Sequence, residues 1–196
     1  MKNKETERFF EIEVVEVLEL TKAVVAQRDK WEYRGQKRPR FAVEPGPEQE
    51  SVWDYPRPPR IEEEGREVLV RTDDILIVLS KKAIRILETA GAPTIYVPPE
   101  DVELAQVGLN RNEYFCEWKG IAQGVVGCNG NEIGWQYVDT FGEYESIKGW
   151  YSFYPGRVYC YLGKEMVRAQ AGGYYGGWIS PEVVGPFKGD PGTEGL

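Results

Sequence analysis

From Val68 onward the chain is written in short runs rich in Val, Ile and Tyr, separated by Gly, Pro, Asn and Asp. Branched and aromatic side chains suit a pleated, half-buried surface, and the intervening residues suit turns, so this pattern restricts the chain to a mainly β fold. Val68 to Val70 and Ile75 to Leu79 flank Thr72-Asp73-Asp74 and predict a first hairpin. Residues 121–127 and 132–137 flank Asn129-Gly130, where both positions tolerate positive φ, and predict a hairpin with a two-residue turn. Tyr159 to Leu162 and Met166 to Val167 flank Gly163-Lys164 in a similar way. One helical pattern interrupts the strands: Ser80 stands ready to cap a short helix carrying Ala83, Ile84, Leu87 and Ala90 at helical spacing, before Gly91 and Pro93 end it.

The flanking regions differ. In residues 4–30, Phe10, Val14, Val17, Leu18, Val24 and Val25 fall close to helical spacing, so residues 1–33 are expected to form an N-terminal extension, helical or else extended. Residues 34–60 lose all periodicity and gather six prolines, which fix φ and remove backbone donors; an extended arm wrapping the domain is expected, anchored by the rings of Ser51-Val-Trp-Asp-Tyr55. The basic run Arg34, Lys37, Arg38 and Arg40 reads either as a solvated linker segment or as a docking patch. Residues 61–196 form the β domain, closing in a packed, irregular, glycine-rich tail from Gly172.

Composition excludes several function classes. The net charge of −8 is concentrated in residues 61–196, a field that repels phosphate backbones, so no nucleic-acid partner is expected. The longest apolar run, Ile75 to Leu79, falls far short of the roughly 20 residues a membrane span needs, so no membrane partner is expected either. Glu11, Glu13, Glu16 and Glu19 interrupt any apolar signal region, which leads to the expectation of a cytoplasmic protein. The three cysteines, Cys116, Cys128 and Cys160, form no CxxC pair and the chain has no histidine, so neither a zinc site nor another metal or cofactor is expected. Without an imidazole, the Ser/His/Asp and Cys/His nucleophile schemes are closed.

Five stretches together resemble the domain-of-unknown-function 427 (DUF427) family: Ser51-VWDYPRPP-Arg60, Ala83-IRILETAGAPTIYVPPED-Val102, Phe115-CEWK-Gly120, Trp135-QYVDTFGEYESIKGWYSFYPGR-Val158 and Gly172-GYYGGWISPEVVGPFK-Gly189. The resemblance implies a compact domain of two sheets, tent-like or sandwich-like, leaning over a cleft, without zinc. Family members often resemble Glu-Thr-Ser-His-Pro where this chain has Glu88-Thr89-Ala90-Gly91-Ala92-Pro93, so any mechanism resting on that histidine is closed here. The family is also labelled nucleotidyltransferase-like. Metal-dependent nucleotidyl transfer requires clustered carboxylates; Asp73 and Asp74 are the nearest pair, and adjacent residues in an extended chain point opposite ways.

The remaining candidates are carboxylates, lysines, tyrosines and thiols. Phe115 to Gly120 is the densest cluster; as a regular strand it places Glu117 and Lys119 on one face and Cys116 and Trp118 on the other. Either Lys119 meets an anionic group of a ligand, with Glu117 or Glu88 setting its charge, or it forms a surface ion pair with Glu117 while Cys116 packs in the core. Tyr96 can present its hydroxyl at a sheet rim, Trp135 and Tyr137 share a face that can wall a pocket, and Arg157 is a candidate second anion contact. Two functions are therefore expected in competition. One is a small-molecule site, catalytic or not, that holds a polar or anionic ligand through Glu88, Tyr96, Glu117, Lys119, Trp135, Tyr137 and Arg157. The other is a module without catalysis that docks a protein partner through the 34–60 arm or the glycine-rich tail.

Overall fold

The computed structural model describes residues 17–193, and the part of the expected N-terminal helix before Val17 lies outside the described residues. The mainly β expectation holds. The longest sheet orders Tyr151–Phe153, Glu132–Thr140, Gly120–Gly127 and Val107–Cys116. A second four-stranded sheet orders Glu165–Met166, Tyr159–Leu162, Val68–Arg71 and Leu76–Ser80. A three-stranded sheet orders Arg60–Glu63, Ile84–Leu87 and Thr94–Tyr96. All pairings within these three sheets are antiparallel.

Alternation along Glu132–Thr140 puts Ile133, Trp135 and Tyr137 on one face of the longest sheet. Ile133 and Val125 pack with Val68, Val78, Cys160 and Leu162 of the second sheet. Trp135 and Tyr137 pack with Ile86 and Tyr96 of the third. One face thus covers two shorter sheets, so that three sheets pack together where a leaning pair was expected, and the third lines a cleft through Thr94 and Tyr96.

The hairpin at Thr72-Asp73-Asp74 and the two-residue turn at Gly163-Lys164 form as expected. At Asn129-Gly130 the Gly127 amide donates to the Asn131 carbonyl at 2.9 Å, so Cys128-Asn129-Gly130 is a three-residue loop rather than a two-residue turn. Gly130 takes a φ of 77°, the left-handed position with which such loops close.

The helix expected after Ser80 is absent: Ile84–Leu87 is the central strand of the three-stranded sheet. Partners Arg60–Glu63 and Thr94–Tyr96 occupy both its edges, and its β-branched Ile84 and Ile86 suit that role. Ile86 and Leu87 are both buried, in different clusters, so the apolar spacing reflects a strand covered on two sides. Ser80 instead donates to Asp101 at 2.6 Å. The α-helix of the described residues is Lys22–Arg28, in the extension, capped by the Thr21 hydroxyl, which accepts from the Val24 amide. No helix of the described residues is long and apolar enough to cross a membrane.

Residues 50–55 of the arm pack on the tail. Ser51 caps the short turn Val52–Asp54, and Trp53, 1% exposed, donates its indole N–H to the Pro186 carbonyl at 3.0 Å. Glu50–Ser51 pairs in parallel with Val183–Val184 of the tail. The basic run is ordered by its own chain: Arg38 forks onto both oxygens of Asp54 at 2.7 and 2.6 Å, and Arg34 donates to the carbonyls of Arg28 and Trp31. Lys37 and Arg40 stay exposed. In the tail, Trp178 is buried and donates to the Phe153 carbonyl at 2.9 Å. Because arm and tail close on each other through Trp53, Trp53→Ala is expected to cost about 4 kcal/mol of stability, read as a lowered urea midpoint, with Trp53→Phe losing less; an unchanged midpoint would show that the arm contributes no core.

Candidate functional site

Between the longest sheet and the three-stranded sheet lies a cleft of about 230 Å³. Its floor is an ion triad. The strand Ile84–Leu87 delivers Glu88 into it, where Oε1 accepts from Arg57 Nε at 3.3 Å and Oε2 accepts from Lys119 Nζ at 3.0 Å. Both cations are enclosed, the Arg57 side chain 3% exposed and that of Lys119 11% exposed. Arg57 is held further by the carbonyls of Tyr33 and Thr89. Burial works to raise the Glu88 pKa, but Lys119 and Arg57 outweigh it, so the carboxyl titrates below its ordinary range. Burial likewise pulls Lys119 down, and Cys116, Glu88 and Tyr96 around it outweigh that, holding the ammonium well above its usual value.

The walls are aromatic. Trp135 donates its indole N–H to the Tyr96 hydroxyl at 3.1 Å, and Tyr154 lies 4.7 Å from the Trp135 ring. Burial pushes the Tyr96 and Tyr137 hydroxyls up, so both stay protonated. The tail closes one side: at Gly176 a Cβ would lie 2.0 Å from the Trp135 ring, so only glycine lets the backbone pass there. From the extension comes Trp31, whose indole N–H donates to Glu117 Oε1 at 2.8 Å. Arg57 lies 3.7 Å over that ring and Lys188 4.1 Å from its centre.

Of the residues singled out in the sequence, Glu88, Tyr96, Glu117, Lys119, Trp135 and Tyr137 all line this cleft. Three details differ from expectation. The strand Val107–Cys116 ends before Glu117, and Glu117 to Lys119 form the turn into Gly120–Gly127. This turn breaks the alternation, so Cys116 lines the cleft with Lys119 while Trp118 is buried; Cys116 is half-buried and packs against the cluster that holds Tyr96, Trp135 and Tyr137. Glu117 is bound by Trp31 and does not pair with Lys119. Arg157 lies outside the cleft: Glu132 captures it at 3.0 Å and it covers the Tyr154 ring at 4.1 Å. It borders a second cavity of about 460 Å³ beside the Cys128–Asn131 loop.

Trp31, Arg57 and Lys188 also line the cleft and are not singled out by any motif in the sequence. Arg57 stood between two prolines beside an aromatic anchor, and Lys188 is the sole cation after Arg168, which were the available signals. Among the described residues no group of three or more metal-ligating side chains is gathered, and Asp73 and Asp74 line neither cavity.

The family model described as "Domain of unknown function (DUF427)" matches residues 60–163, just over half of the chain. The chain belongs to the DUF427 family. No curated protein matches it. The DUF427 stretch contains Glu88, Tyr96, Cys116, Lys119, Trp135 and Tyr137, whereas Trp31, Arg57 and Lys188 come from outside it. The DUF427 core therefore supplies the aromatic wall and two members of the floor triad, and the flanking segments supply the third, Arg57, and complete the lining.

The triad fixes a sign for pH dependence. The lowered Glu88 pKa contributes stability that is present above the ordinary carboxylate value and lost as pH falls through the folded one. The raised Lys119 pKa contributes stability present below the ordinary lysine value and lost as pH rises through the folded one. Glu88→Gln is expected to lower stability at neutral pH by about 3 kcal/mol, because two enclosed cations lose their counter-charge. Its acid limb in urea midpoints measured against pH should be flatter than the parent's; an equally steep limb would assign the titration to another group.

Proposed function

We propose that the cleft binds a small polar, anionic ligand between aromatic walls. The observation that carries this reading is the enclosed Arg57–Glu88–Lys119 triad at the floor of a concave, ring-lined space. Lys119 is held in the charged form and the tyrosines in the protonated form, so the cleft offers chiefly hydrogen-bond donors. Such a lining favours a ligand rich in acceptors and stabilises negative charge; Lys119 is not set up to act as a base near neutral pH. Lys119 meets the ligand from the floor, Glu88 positions Lys119, Tyr96 and Tyr137 donate from the wall, and Trp135 stacks.

The competing reading, a protein-docking arm, is weakened by Trp53 and Tyr55, whose rings are turned into the chain's own core. The nucleotidyltransferase-like label calls for carboxylates beside a triphosphate site, and the acidic side chain at the heart of this cleft is committed to two cations.

A thermal-shift screen of nucleotides, sugar phosphates and carboxylates checks the proposal. A compound at 100 times its Kd should stabilise the parent by about 2.7 kcal/mol and leave Lys119→Met unshifted. Equal shifts in both proteins would move the site away from Lys119, and no shift in the parent with any compound would remove the ligand reading.

A further inference from the structure

The charges lining the cleft do not cancel. Arg57, Lys119 and Lys188 are positive, and Glu88 and Glu117 are negative. Glu88 gives one oxygen to Arg57 and the other to Lys119, and Glu117 accepts from the Trp31 indole. Lys188 pairs with no carboxylate among the described residues; its ammonium lies 4.1 Å from the centre of the Trp31 ring and 5.8 Å from that of Tyr175. Its backbone is fixed, the amide donating to the Ala90 carbonyl at 2.7 Å and the carbonyl accepting from Gln170 Nε2 at 2.7 Å. A half-buried amine is thus held at a ring-lined cleft with cation–π contacts but no counter-ion among the described residues, a costly arrangement that an incoming anion relieves.

We infer that the ligand is a small planar monoanion, an aromatic or conjugated monocarboxylate, whose carboxylate is bound by Lys188 beside Trp31 while its flat body lies among the cleft rings. The inference rests on the ligand-site reading above and narrows it. One positive charge in excess matches one negative charge on the ligand. The cleft, at about 230 Å³, is smaller than the roughly 300–1,000 Å³ of pockets for drug-sized molecules. The chain's net charge of −8 repels polyanions such as nucleoside triphosphates far more than a monoanion, so recognition falls to the local cation. In the free protein, burial and Arg57 lower the Lys188 pKa while Glu88 and Glu117 pull it up, the order expected of an amine lacking a partner. Affinity for a carboxylate should accordingly fall as pH rises through that lowered value.

Calorimetric titration of the full chain with benzoate, benzamide and phenyl phosphate tests this. The expected result is that benzoate binds, benzamide binds about tenfold or more weakly, and phenyl phosphate binds no better than benzoate. Lys188→Met should lower benzoate affinity to the benzamide level, and Lys188→Arg should keep the preference. Benzamide binding as well as benzoate, phenyl phosphate binding more tightly, or an unchanged preference in Lys188→Met would each overturn the monoanion while leaving the cleft reading intact. If none of the three binds but another compound gives a Lys119-dependent thermal shift, the ligand class is wrong and the site stands. If no compound binds or shifts the protein, both fall.

Discussion

Glu88 is one carboxylate between two enclosed cations, and three segments far apart in sequence meet on it. Arg57 arrives from the arm, Lys119 from the turn between two strands of the longest sheet, and Glu88 from the end of the central strand of another sheet. Taking three charges out of water carries a large desolvation cost, which only near-complete mutual pairing offsets. The arrangement therefore has one low-energy geometry, and the approach of the two sheets is tied to it. A hydrophobic contact in the same place would tolerate sliding; this one does not.

The triad also explains how the flanking segments belong to the site. Arg57 is placed by Tyr33, Thr89 and Glu88, and its guanidinium covers one ring, that of Trp31. Trp31 in turn holds Glu117, and Arg28 one helical turn earlier donates to the backbone carbonyls of Glu117 and Trp118. The short helix of the extension is thereby fastened to the same turn that carries Lys119. Because both ends of that turn are held, the lysine's position is set by backbone geometry as well as by its ion pair. The tail contributes Lys188 and the close passage of Gly176 against Trp135, so part of the cleft lining comes from outside the DUF427 stretch.

The fold class, the hairpins at Thr72-Asp73-Asp74 and Gly163-Lys164, and the inward turn of the Ser51 to Tyr55 rings were legible in the sequence, because each depends on neighbours a few residues apart. Alternation and turn chemistry are local properties. So was the shared face of Trp135 and Tyr137, which follows from the period of a strand. The resemblance carried by Phe115 to Gly120 likewise led to the segment that holds Lys119.

Long-range partners decided the rest. Ile84 to Leu87 carries spacing compatible with a helix, and it became a strand because two other segments supply hydrogen-bonding edges to it. Lys119 had two candidate carboxylates by sequence; the turn at Glu117 sent one to Trp31 and left the other, 31 residues away, as the partner. Arg157 was drawn off by Glu132, 25 residues distant, before it reached the cleft. The sequence by itself determined which segments are strands and which rings turn inward, since these are set by local sterics and burial. Which charge meets which was decided by tertiary structure alone, because Coulomb pairing acts through space and selects among carboxylates that the linear order cannot rank.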